Sequence, residues 1–519
     1  MTKNNISPPK IEMLPMPKVI GSSRDLISNK ELVEYALAEE KKTNFLITER
    51  LLLQGSAKEK QTVCAANLMR FYTRQHWNRE AWLFFHSLPK NKKTNVSIRL
   101  QLGINLINYG KMDEAIESLN YCRIKRPSSA PLLCHLARCY GAQGDISKAR
   151  KLFEAAVQLD PYYIVALREM THLCKDEDVS KYTNLLYLKI QQPNLPDKQK
   201  VTCLFALAKA FHRINDTESE LEFLKKANKL ARKTQAGQDF RALRVLHRHT
   251  VRSISKRTIS ESELKDLEKD IVLIVCLPRS GASLLEGKIS EAFGLKQTGE
   301  SDLYNSAMVE FNRQGNSLSL KAIDVAGTQR LQLDYTELLS CPKRGDFIQS
   351  YNRILSDIAT GSAGLINKSL GNAWQAPVLM KMMKNIKVIN LTRDPRDLAI
   401  SALQANFETG HGYIYSAADL ESQIEHHEAM TAIWLDQFPE RVLPLRYEDF
   451  VSNTEFCLDK LGSFLNIDRK NVVEQKAVTI TSSIWQVQNK IHQASVSKWK
   501  KYEPLLEGRF GTNSQSKEL

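Results

Sequence analysis

The sequence predicts a chain of two unlike parts: a repetitive all-helical half, followed by an α/β layer domain on a parallel sheet. Three observations carry this expectation. From Asn29 to about Ser255, apolar residues recur at three- and four-residue spacing, and extended β-branched runs are scarce. Inside that stretch, positions thirty-four residues apart echo one another. Beyond it, short apolar runs (Ile271–Leu277, Ile386–Leu391 and Val442–Leu445) alternate with helical patterns such as Leu398–Phe407 and Leu420–Phe438.

Whole-chain properties bound the function. The 519 residues suffice for two to four domains, and a 42% hydrophobic content is that of globular cores. A formal net charge of +15 and a pI near 9.2 favour anionic partners. No basic run is interleaved with aromatics, so nucleic-acid binding is not expected. The nine cysteines are scattered, without a CxxC or a histidine cluster, and read as reduced core thiols rather than a metal site. Residues 1–28 open with MTKNNISPPKIEMLPMPKV, where Pro and Lys interrupt any secretory-type apolar stretch. No apolar run approaches the roughly 18 residues of a membrane span. The expectation is a cytoplasmic protein with disordered tails at 1–28 and 511–519.

In the helical half, Leu102-Gly103, Gly110, Ala115 and Pro127 recur as Leu136-Ala137, Gly144, Ala149 and Pro161. The second copy adds Tyr140, Phe153 and Ala156. This is the period and residue pattern of tetratricopeptide repeats. Small residues let paired helices approach, aromatics fill the next gap, and Pro161 stops the second helix. Weaker copies start near Tyr163 and at Ala206–Phe211. A repeat solenoid over 29–255 follows, then a charged linker helix over 256–270 and an α/β domain over 271–510.

The stretch IVLIVCLPRSGASLLE, Ile271–Glu286, switches from buried strand to small-residue turn to helix. Backbone N–H groups at such a helix start converge on an anion, and the helix dipole favours it. Gly281 permits close approach, while Arg279, Ser280 and Ser283 offer side-chain donors. An ATPase-type loop fails on spacing, because Gly281 and Gly287-Lys288 lie one residue too far apart and Ile289 follows. No Mg²⁺ ligand set accompanies it, and no metal is expected. A second apolar run ends in LTRDPRDLAIS, Leu391–Ser401, placing Arg393 and Arg396 beyond a strand at a helix mouth. Ligands of open α/β sheets bind outside the carboxyl ends of strands, so the two turns suit a ligand with phosphates at both ends.

Together these residues resemble the sulfotransferase family, and more closely its tyrosylprotein-sulfotransferase-like, repeat-bearing members. PRSGAS is similar to the family's 5′-phosphosulfate loop and RDPRDLAIS to its 3′-phosphate segment. Gly299-Glu300, Asn367–Asn372, Leu445–Asp449, Ser482–Val487 and Ser495–Glu503 extend the resemblance over roughly residues 100–505. It implies a P-loop-like sulfotransferase domain that uses 3′-phosphoadenosine-5′-phosphosulfate (PAPS) and an acceptor hydroxyl. By the same resemblance, Arg279 with Ser280, Gly281, Ala282 and Ser283 holds the phosphosulfate. Glu300 is the general base, Lys368 and Ser483 stand by the transferred or leaving group, and Arg393, Ser401, Tyr447 and Lys498 bind the rest of the donor.

Four departures bear on this. Ala282 replaces the usual Thr, Ala405 a further Arg, Asn367 an Asp, and Ser369-Leu370 a Met-Pro. The acceptor stays open among peptidyl tyrosine, carbohydrate and small phenols. The repeats leave room for a protein or peptide ligand, and a homodimer is compatible. The alternative is an interaction scaffold with a catalytically impaired domain.

Overall fold

A computed structural model describes residues 29–42, 45–57, 62–235, 240–314, 320–325, 328–333, 335–359, 361–362, 364–407, 411–469 and 496–510. The tails expected to be disordered, and Ser483, lie outside the described residues. The chain divides into two compact units, Met1–Ser128 and Ser129–Leu519.

The first unit is helical throughout its described residues and ends in a paired hairpin, α1 (Val96–Tyr109) and α2 (Met112–Lys125). Asn95 caps α1 by accepting from the Ser97 and Ile98 amides. Gly110, at φ 82°, makes the left-handed turn between the helices. A Cβ on Gly103 would lie 2.6 Å from Leu119 Cδ2, so the crossing needs a residue without a side chain. This is the close approach that the repeat pattern predicts.

The second unit opens with the equivalent hairpin, α3 (Ala130–Ala142) and α4 (Ile146–Leu159). Ala137, Ala149, Phe153 and Ala156 are fully buried along it. Gly144 repeats the left-handed turn at φ 85°, and Asp145 caps α4 through the Lys148 amide at 2.9 Å. Further helices include α5 (Asp197–Arg213), α6 (Thr217–Thr234) and α7 (Phe240–Ser255).

The expected linker helix over 256–270 is absent. The segment holds one 3-10 turn, Glu261–Glu263, and an isolated parallel bridge from Lys265 to Met383. Ser260 explains the difference: its amide and hydroxyl both donate to the Glu263 carboxylate, at 3.0 and 2.8 Å. Such local side-chain bonds compete with helix propagation.

Strands follow in the order β1 (Asp270–Val275), β2 (Lys296–Gln297), β3 (Leu320–Val325), β4 (Thr328–Leu333), β5 (Gly364–Asn367), β6 (Ile386–Thr392) and β7 (Val442–Arg446). Five form a parallel sheet ordered β2-β5-β1-β6-β7, and β3 and β4 form an antiparallel hairpin. The near-continuous apolar character of β1 has a simple cause, since both faces of the sheet are covered. Ile271, Leu273 and Val275 enter one core with Tyr304, Phe347 and Trp434, while Val272 and Ile274 enter another with Leu285, Ile289 and Phe293.

The chain leaves β1 toward β2 at one edge and leaves β6 toward β7 at the other, although β1 and β6 are neighbours. The crevice beyond their carboxyl ends is therefore a topological switch point.

Candidate active site

The β1 turn is built on two left-handed residues, Arg279 at φ 74° and Gly281 at φ 97°. Arg279 pays a steric cost there that only a held turn sustains. At Gly281 the need is spatial as well, because a Cβ would meet Tyr447 Cδ2 at 2.4 Å. The turn feeds α8 (Ala282–Phe293), whose N-cap makes no side-chain hydrogen bond. The Leu284 and Leu285 amides return to the Gly281 carbonyl at 3.1 and 3.2 Å, so among the described residues only the Ala282 and Ser283 amides are left for another acceptor. Ser280 does not add a donor to them. Its hydroxyl and amide both donate to the Leu277 carbonyl, at 2.8 and 3.3 Å, closing the turn from beneath. Ser283 is half-buried on the first turn of α8.

The β6 turn meets the β1 turn directly. Arg393 Nη1 donates to the Arg279 carbonyl at 2.9 Å, and Arg279 Nε donates to Ser401 Oγ at 3.1 Å. Ser401 lies on α9 (Pro395–Leu403), which starts with Pro395 at its first turn and Asp394 as N-cap. The Arg393 guanidinium also sits 4.8 Å over the Tyr447 ring. Burial, then the charge of Arg393, push the Arg279 guanidinium down to about 10, so it stays charged at neutral pH. Arg396 is occupied elsewhere: it pairs with Asp394 at 2.8 Å and stacks 4.3 Å over Trp499.

Asp397 fixes the terminal segment against α9. Its carboxylate accepts from the Ser497 amide at 2.6 Å and the Trp499 amide at 2.8 Å. Lys498, between them, donates to Gln404 Oε1 at 2.8 Å. Burial, then the neighbouring Lys209 ammonium, hold Lys498 down to about 8, against the opposing pull of Glu220.

A third group gathers at the β5 end. Lys368 Nζ lies 3.0 Å from Glu300 Oε1, the lysine side chain 3% exposed and the glutamate 53%. The ammonium is thereby fixed while the carboxylate opens to solvent. Asn367, where the resemblance expects Asp, ties down the loop that carries Glu300. Its amide donates to Thr298 Oγ1 and to the Ser301 carbonyl, each at 2.9 Å. Asn372 in turn donates to the Asn367 carbonyl at 3.2 Å and the Ile274 carbonyl at 3.1 Å.

Sequence reasoning missed Glu286. It is buried on α8, and its Oε1 accepts the Gly299 amide at 2.8 Å, next to Glu300. Burial pushes its carboxyl up to about 7, opposed by Lys368. The signal was present: Ala282, Glu286, Ile289 and Phe293 form one stripe at helical spacing, with a carboxylate in an apolar row. Glu220, which accepts from Gln404 at 3.3 Å, was also missed, because nothing local in sequence joins it to the two arginine turns.

The arrangement offers fixed cations and free amides at one crevice, with a paired lysine and glutamate beside it. That donor set suits an anion carrying more than one phosphate. Among the described residues no group of three His, Cys, Asp or Glu could hold a metal ion.

The fold is an α/β domain with two arginine-bearing turns in contact at a topological switch point. Residues 270–471 match the sulfotransferase family, and residues 130–163 match a tetratricopeptide repeat. A helical region that carries the tetratricopeptide-repeat match thus precedes an α/β region that matches the sulfotransferase family. It is 24% identical over 415 residues to an uncharacterized protein of Aquifex aeolicus (strain VF5), covering 77% of this chain and 52% of the relative. The chain therefore spans about half the length of that relative.

Three solved structures are similar. The sulfotransferase domain from the Synechococcus PCC 7002 olefin synthase is 17% identical, with a TM-score of 0.31, covering 48% of this chain and 98% of that one. The sulfotransferase domain from the curacin biosynthetic pathway is 18% identical, with a TM-score of 0.26, covering 46% and 98%. Sulfotransferase STF1 from Mycobacterium tuberculosis H37Rv is 12% identical, with a TM-score of 0.26, covering 69% and 98%.

Proposed function

We propose that the chain binds PAPS at the β1–β6 crevice and catalyses transfer of its sulfuryl group to an acceptor hydroxyl. The observation that carries this reading is the direct contact of the two turns, Arg393 Nη1 to the Arg279 carbonyl at 2.9 Å. A single ligand with phosphates at both ends can reach both. The family match over residues 270–471 supports the same reading.

The amides after Gly281 and the Arg279 side chain would hold the 5′-phosphosulfate. Arg393, Ser401 and Lys498 would hold the 3′-phosphate, with Tyr447 shaping the space between. When bound, the donor supplies the sulfuryl group: the acceptor oxygen bonds to sulfur as the sulfur–oxygen bond to phosphate breaks, and the phosphate leaves with the electron pair. Glu300, exposed and adjacent to Lys368, takes the acceptor proton as that bond forms. Lys368 offers a fixed positive charge to the developing charge on the leaving group. Ser483 is assigned a place near that phosphate by resemblance alone.

The acceptor class is a hydroxyl compound. A tyrosine-containing peptide is the first to test, because the repeat at residues 130–163 favours a protein or peptide partner. The test uses radiolabelled PAPS and purified full-length protein with tyrosine peptides, carbohydrates and phenols as acceptors. Transfer that is lost in Glu300→Gln supports the reading. No binding of adenosine 3′,5′-bisphosphate defeats it. Binding without transfer to any acceptor class favours the scaffold alternative.

A further inference from the structure

Glu300 sits in a short loop whose main chain is anchored from two sides. On the β5 side, the Thr298 amide and hydroxyl both donate to the Ile366 carbonyl at 3.0 Å. The Lys368 amide donates to the Gly299 carbonyl at 3.0 Å. The Asn367 side chain adds its bonds to Thr298 and Ser301. The other anchor comes from a different element. The Glu286 carboxylate, on α8, accepts the Gly299 amide at 2.8 Å.

That anchor stands where an apolar residue would pack more cheaply. Glu286 is 3% exposed, and its neighbours on α8, Leu285 and Ile289, enter the core with Val272 and Ile274 of β1. A carboxyl in such a place is unfavourable unless its oxygens find donors. What it adds over a leucine is an acceptor for the main-chain N–H one residue before Glu300. Lys368 and Glu300 are the charged groups that face it. Protonated or ionised, the group keeps an oxygen for the Gly299 amide, so the anchor does not depend on its charge.

The same helix begins at the β1 turn. Ala282 and Ser283, whose amides remain for another acceptor, precede Glu286 by one helical turn. Over one turn an α-helix is held rigid by its own hydrogen bonds. An anion on the first amides of α8 and the main chain beside Glu300 are therefore fastened to one stiff segment. A reacting group displaced by about 1 Å can lose on the order of 100-fold in rate, so such a fastening matters to a base that must meet a donor.

We propose that Glu286 is a positioning residue that locks the Glu300 loop to the helix of the donor cradle, so that seating the 5′-phosphosulfate also sets the place of the base. It acts through Gly299 and not by touching donor or acceptor. The inference rests on the PAPS reading above and adds to it a coupling between the two halves of the site.

The experiment is hydrogen–deuterium exchange of the full chain, read on peptides covering residues 298–301. Each protein is measured alone and with adenosine 3′,5′-bisphosphate at a concentration that calorimetry shows to be saturating. In the wild type the nucleotide should slow exchange of these amides at least about 10-fold, as closure of a local opening does. Glu286→Gln keeps an acceptor for Gly299 and should preserve the slowing. Glu286→Leu fills the same apolar space without an acceptor. It should reduce the slowing to less than about 2-fold while the bisphosphate Kd stays within about 3-fold of wild type. Glu286→Met serves if the leucine variant fails to fold. Slowing that persists in the leucine variant, or a wild type that binds the nucleotide without any slowing, overturns the inference and leaves the PAPS reading intact. A loss of slowing matched by an equal loss of affinity also overturns it, because Glu286 would then only support the cradle. A wild type that does not bind the bisphosphate defeats the PAPS reading and the inference with it.

Discussion

Arg393 Nη1 and the main-chain oxygen of Arg279 stand 2.9 Å apart, although 114 residues separate them in sequence. Each arginine follows a different strand, and the strands are neighbours only because β6 is added beside β1 after the chain has run out to β2 and back through β5. The contact joins two separate arginine-bearing turns at one crevice. Each prediction below depends on some part of that crevice.

Gly281→Ala should impair the cradle twice over. The residue sits at φ 97°, and its new Cβ would press on Tyr447 at 2.4 Å. We expect a destabilisation of about 1–3 kcal/mol and at least a roughly 10-fold loss of bisphosphate affinity. Thermal unfolding and calorimetry measure the two separately. Tyr447→Ala in the same chain relieves the clash but not the backbone strain, so recovery should be partial.

Nucleotide affinity should fall as pH rises through about 8. Lys498 is held near that value by burial and then by Lys209, Arg279 and Arg393, with Glu220 opposing. A bound anion favours the charged ammonium, so binding near pH 8 should take up protons. Titrations in buffers of different ionisation enthalpy read this uptake, and Lys498→Met should abolish it. The same shift affects folding. Between about pH 8 and the ordinary lysine range the unfolded chain holds more protons, so the contribution of Lys498 to stability rises with pH there.

Glu286 predicts the opposite slope. Burial raises its carboxyl to about 7, against the pull of Lys368 and the Gly299 amide, with Glu300 adding to the rise. From about pH 4.5 to 7 the folded chain keeps a proton that the unfolded chain has released. Its contribution to stability is therefore full at low pH and is lost as pH rises through that window. Glu286→Gln still accepts the Gly299 amide but cannot ionise. It should match wild type near pH 4 and exceed it by on the order of 2 kcal/mol near pH 8, measured by denaturant unfolding.

Glu300→Gln should separate chemistry from binding. Its side chain is half-exposed and meets Lys368 at 3.0 Å. We expect kcat to fall about 10²- to 10⁴-fold while the bisphosphate Kd stays within about 2-fold. Lys368→Met should lower kcat as well. It should also destabilise the Glu300 loop little, because the Asn367 side-chain bonds to Thr298 and Ser301 remain.

Much of the fold could be read because it rests on short-range periodicity. The thirty-four-residue echo marks helix pairs whose glycines and alanines recur where the helices cross, as at Gly103 and Ala137. The unbroken apolar run of β1 announces a strand covered on both faces. The linker over 256–270 misled because its charged composition suits a helix, while Ser260 and Glu263 prefer to bond to each other. Arg279, Gly281 and Arg393 were visible as motif residues. Ser280 was visible too, but its hydroxyl turns inward to Leu277, an orientation that spacing cannot reveal.

By itself, then, the sequence determined which segments are helix or strand and which short turns carry arginine beside small residues, because those properties depend on a residue and its near neighbours. Tertiary structure decided which turns meet. It set Arg279 against Ser401, placed Glu286 under the Glu300 loop, and linked Glu220 of the helical region to Gln404. Such pairings join residues 13 to 184 positions apart, and only the strand order and the packing of whole helices bring them together.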